Sequence, residues 1–572
     1  MYISRRAVAI LALSAVIQVA LSWQPDTMGD LLEYHSWART LTQEGLAAAY
    51  WPTSMSQESL APIDYPPLVP YVLWATGRCL GAVSQEALLH NDQLLDFLIR
   101  LPFCAFVLLI ALLVYLDARR IAPNKADLIC ALVALNPALI FDTAYWGQSD
   151  SVCAFFVMLA VVLLVRGRPE WSWVAITCAA LVKPLAYPFM PLILLETWKR
   201  FSVYRTFSSA TASALVAGIV FTPFAWIGRL GDGVSALVSE IDAMPYISVD
   251  AHNLWWIVGR GLPWTKANAH PLGISWNTLS LVLFGTFFAI TLVRLWRSKE
   301  PRALYVAAAA TGFGFFILAT RVHENHLFVA LPLMALLAAN LRWPRMVLIA
   351  LTITFFANML LHDPFLDDIS RRHVPGPHFQ LPALEEPQDE IVKRYRSFGY
   401  GWIADEVSGD VSLVGFVATL VNAQANMVLF ALWLSFAYFA RSFDVALATS
   451  DWHVPWQRAG PAITIFVLAT GIYFLTRVSD SRHVAFSRAS LCLRSCWGPL
   501  TAISSGPYHI ARLEQQTTFR LDYVSRQLRQ SDTHAHPLRP DLSHTIGDIA
   551  HLRSWFRLSD SNSTSQYAFG TR

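Results

Sequence analysis

The sequence predicts an all-α protein that crosses a membrane many times. Three observations carry this. Only 15% of its 572 residues are charged and 55% are hydrophobic, where a soluble domain carries about 25% charged residues. Apolar runs near the length that crosses a bilayer, about 20 residues, recur along most of the chain. The 21 Trp and 18 Tyr fit aromatic belts at two membrane–water interfaces. Mean hydropathy is +0.42. The formal net charge of +3 is too small to suggest a nucleic-acid surface.

The spans are placed at 6–23, 97–116, 126–145, 151–166, 171–183, 184–198, 207–227, 276–295, 302–320, 325–341, 344–361, 411–440 and 460–477. This gives a bundle of about 11–13 helices. Residues 1–22 pair Arg5 and Arg6 with an apolar run and lack a clear small-x-small cleavage site, so they read as an uncleaved first helix. Proline at Lys183-Pro184 leaves a choice between one bent crossing and two short ones. Charge favours two. Arg5/Arg6, Arg119/Arg120/Lys125, Arg166/Arg168, Lys199/Arg200/Arg205, Arg294–Arg302, Arg342/Arg345 and Arg441 then share the cytoplasmic side.

The opposite side holds long loops at 24–96, 228–275 and 362–410. The first contains an amphipathic stretch, 30–48, and a short apolar piece, Leu68–Leu80, read as a helix at the interface. Residues 1–477 form the membrane domain; 478–572 are rich in Ser, Arg, His and Gln, lack Lys, and read as a disordered or weakly folded tail. Cys79, Cys104, Cys130, Cys153 and Cys178 sit mostly in apolar runs and read as buried thiols, and Cys492 and Cys496 have no second pair to complete a metal site.

Polar clusters gather on the outer side. On a helix, Asp30, Glu33, Tyr34 and Trp37 share one face by their i, i+3, i+4, i+7 spacing; the plain alternative is a capping Asp opening a surface helix. Asp64-Tyr65-Pro66-Pro67-Leu68, Trp146-Gly147-Gln148-Ser149-Asp150, Lys183 and Arg321–His326 follow. The structural alternatives are a Pro-Pro turn, a belt Trp beside a turn Gly, and a Lys snorkelling to the interface. Ions at membrane depth are costly unless paired, which makes them functional candidates. The bases Lys183, Arg321, His323 and His326 suit a phosphate, and a carboxylate beside them suits removal of a proton from a hydroxyl. No D-x-D metal clamp is evident, so neither metal nor cofactor is expected.

In order and spacing, residues 5–440 resemble the integral-membrane GT-C glycosyltransferases. Gly29-Asp30 with Trp37, then Asp64-Tyr65-Pro66-Pro67-Leu68, resemble the ER glucosyltransferases that use dolichyl-phosphate-glucose. Trp146–Asp150 and Lys183-Pro184 are more similar to bacterial proteins related to the mannosyltransferases of GPI-anchor synthesis. Arg321–His326 resembles the H-E-K or H-E-R element of both groups, and Phe97–Arg100 the arginine that opens their second span. Asn325 stands where the family has Lys or Arg, and some ER members lack the acid at Asp150.

The resemblance implies a GT-C-like bundle and an inverting transfer of glucose or mannose from a polyprenyl- or dolichyl-phosphate donor. Asp30 matches the catalytic base. Lys183, Arg321, His323, His326 and Arg100 are implied for the donor phosphate. Glu33, Trp37, Asp64, Tyr65, Trp146, Gln148, Asp150 and Glu324 are implied for sugar or acceptor. The expected partners are the lipid-linked donor, a lipid-linked or glycan acceptor and the bilayer. Low Lys with many Ala and Arg points to a bacterial inner membrane with an outward site, the ER lumen being the alternative. A transporter or lipid-linked-sugar flippase is the rival reading, because charged cavities suit it too.

Overall fold

A computed structural model describes residues 3–24, 29–50, 63, 65–239, 245–262, 265–270, 273–363, 378–380, 410–438 and 443–448. Asp64, the expected span 460–477, the boundary at 477/478 and the tail lie outside the described residues, as does the side chain of Asp30.

The described chain is helical, apart from a two-stranded ribbon in which His378–Gln380 pairs antiparallel with Asp410–Ser412. Among the described residues six helices are long and apolar enough to cross a bilayer: Arg5–Ser22, Asp92–Ile121, Val203–Trp226, Trp276–Arg297, Arg342–His362 and Leu413–Tyr438. The pair Pro123–Ala134 and Pro137–Tyr145, bent by 41°, is apolar and long enough to make a seventh when taken as one broken span. The bend has a local cause. Pro137 lacks an N–H, and the Asn136 side chain caps the next helix by accepting from Ala138 and Leu139.

The all-α polytopic fold is as expected; the bounds of several expected segments are corrected here. Asp150–Val165, Pro169–Ala180, Met190–Arg200, Ala303–Leu318 and Ala330–Ala338 are shorter. Hydropathy counted the apolar turns between them as helix. Ala303–Leu318 and Ala330–Ala338 are almost wholly buried, and backbone packed inside protein is free to leave the helix before it reaches the interface. Cys79 is also corrected: it is exposed, while Cys104, Cys130 and Cys153 are buried.

Side-chain bonds fix the two ends of the bundle. At one end Ser4 Oγ donates to Asp127 Oδ1 (2.6 Å), and Arg166 and Tyr305 both donate to Asp117 (2.8 and 3.0 Å). There too Lys199 donates to the Leu295 carbonyl (2.8 Å) and Arg294 to that of Ala437 (3.1 Å). At the other end Arg100 Nη1 donates to the carbonyls of Ser22 and Gln24, Trp146 to Asp363, and Trp256 to Thr419. Pro169–Ala180 therefore runs from the basic end toward Lys183, and Met190–Arg200 returns to it. This is the two-segment reading of the Lys183-Pro184 break.

The helix Gly29–Glu44 packs on Leu68–Val83. Gly77 permits the approach, since a Cβ there would stand 2.8 Å from the Ala38 carbonyl oxygen.

Candidate active site

The centre of the polar end is an ion pair. Asp150 opens the helix Asp150–Val165, where the free N–H groups of the first turn favour an anion. Lys183 precedes Pro184, and that restriction holds it extended at φ −156°, ψ 141°. Its Nζ lies 3.1 Å from Asp150 Oδ2 and 3.4 Å from Oδ1. Asn325 Nδ2 donates to the same Oδ2 at 3.0 Å. The Lys183 ammonium also lies 5.7 Å from the centre of the Tyr65 ring. The Leu68 N–H donates to the Leu181 carbonyl at 3.0 Å, so Tyr-Pro-Pro-Leu is pinned directly against the Lys183 break.

Beside this pair the turn from Arg321 to His326 is held by the loop around Tyr246–Asp250. Arg321 N–H donates to Tyr246 (3.1 Å), Val249 N–H donates to Val322 (3.0 Å), and both Val249 and Asp250 form a backbone bridge with His323. Arg321 and Asp250 have φ of +61° and +57°. For side chains such conformations are uncommon and persist only where the surroundings impose them. The His323 N–H donates to His326 Nδ1 at 3.2 Å, which places the His326 proton on Nε2. Burial, then the nearby Lys183 charge, push the His323 imidazole down to about 3. It is therefore neutral at physiological pH.

The Trp146-Gly147 turn touches the helix that carries Asp30. Gly147 has φ +78°, and a Cβ on it would stand 2.7 Å from Leu31 Cδ2. The backbone of Asp30 lies in the first turn of Gly29–Glu44. Glu33 is half-buried and Tyr34 and Trp37 are buried. Tyr34 and Trp37 of the expected shared face thus turn inward, with Glu33 partly so. Trp37 packs on Tyr34 and Tyr65, with ring centres 5.6 and 6.0 Å away, and is a core residue with no surface for a sugar.

Other expectations are redirected by burial. Trp146 is fully buried and its Nε1 donates to Asp363 Oδ2 at 2.7 Å. Gln148 is buried, with its N–H on the Asp142 carbonyl. Asp150 is fully buried and serves as counter-ion to Lys183. Arg100, also fully buried, gives Nη1 to the carbonyls ending the first helix, at 2.9 and 2.8 Å; a guanidinium near a helix C-terminus is favourable there. Glu324 and His326 lie half-buried in the same turn as Arg321 and His323.

Sequence reasoning missed Asn325 as a ligand of Asp150, Asp363 as the partner of Trp146, and Asp250, His252 and His362. Asn325 was visible as the departure from the family's Lys or Arg. The others lie far along the chain from their partners and outside any motif. Among the described residues no group of three or more His, Cys, Asp or Glu is arranged to hold a metal ion.

No protein-family model matches the chain. A probable dolichyl pyrophosphate Man9GlcNAc2 alpha-1,3-glucosyltransferase of Drosophila melanogaster is 25% identical over 366 residues, covering 59% of this chain and 74% of the relative. The chain is thus similar, over 74% of that relative's length, to a protein named as a dolichyl-linked-glycan glucosyltransferase. In this chain Tyr65, the Lys183 break and the Arg321–His326 turn lie together at one end of the described helices.

Proposed function

We propose that this membrane protein is a hexosyltransferase that takes its sugar from a polyprenyl-phosphate donor on the non-cytoplasmic face and passes it, with inversion, to a lipid-linked or other glycan acceptor. The observation that supports the reading is Lys183 held beside Tyr65 and joined through Asp150 to Asn325 of the Arg321–His326 turn, at the end of the bundle where the Asp30 helix meets Gly147. The glucosyltransferase relative favours glucose as the hexose and a pyrophosphate-linked glycan as the acceptor. The face is periplasmic in a bacterium and luminal in the ER.

In this mechanism the donor phosphate lies on Lys183, Arg321 and His323. Arg321 supplies a planar fork and Lys183 a point charge. The acceptor hydroxyl loses its proton to Asp30. Its oxygen bonds to the anomeric carbon from the face opposite the phosphate, the bond from that carbon to the phosphate oxygen breaks, and the lipid phosphate leaves with the electron pair. Cations aimed at the departing oxygen stabilise the charge that develops there. A phosphate leaves well enough that no strong general acid is needed.

The test is reconstitution of the full chain in vesicles with labelled polyprenyl-phosphate hexoses. Transfer of label to acceptor is expected, with Asp30→Asn inactive while still inserted in the membrane. Near-normal turnover by Asp30→Asn would remove the base assignment. Movement of donor across the bilayer without transfer would instead establish the flippase.

A further inference from the structure

Behind the Arg321 turn a chain of buried polar groups ends on one accessible carboxylate. The carbonyl of Thr354 lies 2.8 Å from Asn422 Nδ2, so this end of the amide must be the nitrogen. The same nitrogen lies 2.8 Å from His252 Nδ1, which must therefore accept. A neutral His252 then carries its proton on Nε2 and donates it to His362 Nε2, 2.9 Å away. His362 in turn carries its proton on Nδ1, facing Asp250 Oδ1 at 3.3 Å. Every tautomer in the relay follows from one backbone carbonyl.

The surroundings leave little room for another arrangement. The backbone of His252 is held from both sides, its N–H donating to Asn358 Oδ1 at 2.8 Å and its carbonyl accepting from Asn426 Nδ2 at 2.9 Å. Asn358 Nδ2 also donates to the Asp250 carbonyl at 2.7 Å. Trp256 covers both imidazoles, with ring centres 5.5 and 5.3 Å away. His252 is fully buried, and the His362 side chain is 3% exposed, against 32% for Asp250.

The direction of the relay decides what it can do. Every hydrogen points toward Asp250, and reversing the order would set a proton on His252 Nδ1 against the Asn422 N–H. Asp250 is thus oriented by a donor behind it and has no path for passing a proton inward. What a carboxylate so held takes from the site is hydrogen bonds from hydroxyl donors. Its location matches. Asp250 is bridged through its backbone to His323, a pairing that sets the two Cα atoms about 5 Å apart. On a phosphate seated at that turn, the neighbouring group of the donor is its sugar.

We propose that Asp250 is a hexose-binding carboxylate of the donor site, with His362 and His252 as its positioning residues. The inference rests on the donor being a polyprenyl-phosphate hexose. The experiment measures binding to the full chain in nanodiscs of three probes: the polyprenyl-phosphate hexose, the same polyprenyl phosphate without sugar, and a set of donors each lacking one hydroxyl. Asp250→Ala is expected to weaken the intact donor about tenfold or more, the loss of a hydrogen bond to a charged group. It should leave the sugar-free probe unchanged and abolish wild-type discrimination against at least one deoxy donor. Asp250→Asn, which keeps the side-chain shape, should lose less. His362→Ala should share the defect, and His362→Asn, whose amide can donate from the place of Nδ1, should recover part of it.

Equal weakening of the sugar-free and intact probes would make Asp250 a prop of the turn and overturn the proposal. Wild-type binding of both probes with unchanged discrimination in Asp250→Ala would also overturn it, leaving the donor reading intact. A wild type that binds neither probe would end the donor reading, and this inference with it.

Discussion

Lys183 Nζ stands 3.1 Å from Asp150 Oδ2, and only 4% and 0% of the two side chains are exposed. The cation proposed to face a substrate phosphate is therefore already partnered within the protein. An ammonium has three donors, so the pair positions Lys183 for a phosphate without leaving a bare charge in the interior. Asn325 completes the arrangement as a neutral donor to the same carboxylate.

Asp150→Asn should destabilise the protein by about 3–5 kcal/mol, because it leaves a buried ammonium without its counter-charge. Thermal unfolding in detergent reads this directly. Adding polyprenyl-phosphate hexose should restore part of the loss by supplying another anion. The double variant Asp150→Asn/Lys183→Met should recover stability yet fail to transfer sugar. An Asp150→Asn protein as stable as the wild type would show that the pair is not held as described.

Gly147→Ala should impair transfer at least tenfold while the bundle stays folded. The left-handed φ of +78° costs alanine about 1 kcal/mol. The larger effect is displacement of Leu31, whose Cδ2 a Cβ would meet at 2.7 Å, next to Asp30 in the chain. Combining Gly147→Ala with Leu31→Ala should recover a measurable part of the rate. Unchanged turnover in the single variant would disconnect this turn from the base.

His323 should link donor binding to pH. Burial and Lys183 hold its folded value at about 3, below the ordinary value of about 6.5. The unfolded chain therefore takes up a proton first as pH falls, and this residue's share of stability is lost progressively between those two values. A bound phosphodiester opposes the Lys183 charge and raises the value. Donor affinity should thus strengthen as pH falls through the donor-bound value toward about 3, by at most about tenfold per pH unit for one proton. Calorimetric titrations in buffers of different ionisation enthalpy would show the proton uptake. His323→Gln should flatten the profile, and an unchanged profile would assign the proton elsewhere.

The helices and their direction were largely legible in the sequence. Arg166, Lys199 and Arg294 mark one end of the bundle because short basic loops are read by position along the chain alone. Helix lengths were less legible. The apolar turn at Leu327–Val329 looks like helix by hydropathy, and only packing inside the protein lets it be a turn. Among candidate residues, Lys183, Arg321 and His323 were singled out by residue type and spacing, and Lys183 lies beside the turn that carries the other two. Trp37, Trp146, Gln148 and Asp150 carried the same chemical signals and, like Lys183, are buried; which neighbour each one meets depends on the direction in which its helix face turns.

By itself the sequence determined a helical membrane protein, its basic and polar ends and the order of its motifs, because hydropathy, charge and proline act locally and add along the chain. Only the tertiary structure decided who meets whom. Asp150 joins Lys183 across 33 positions and Asn325 across 175, and His252 joins His362 across 110. Such pairings depend on which helices pack side by side, and a hydrogen bond between buried groups exists only where that packing brings donor and acceptor to within about 3 Å.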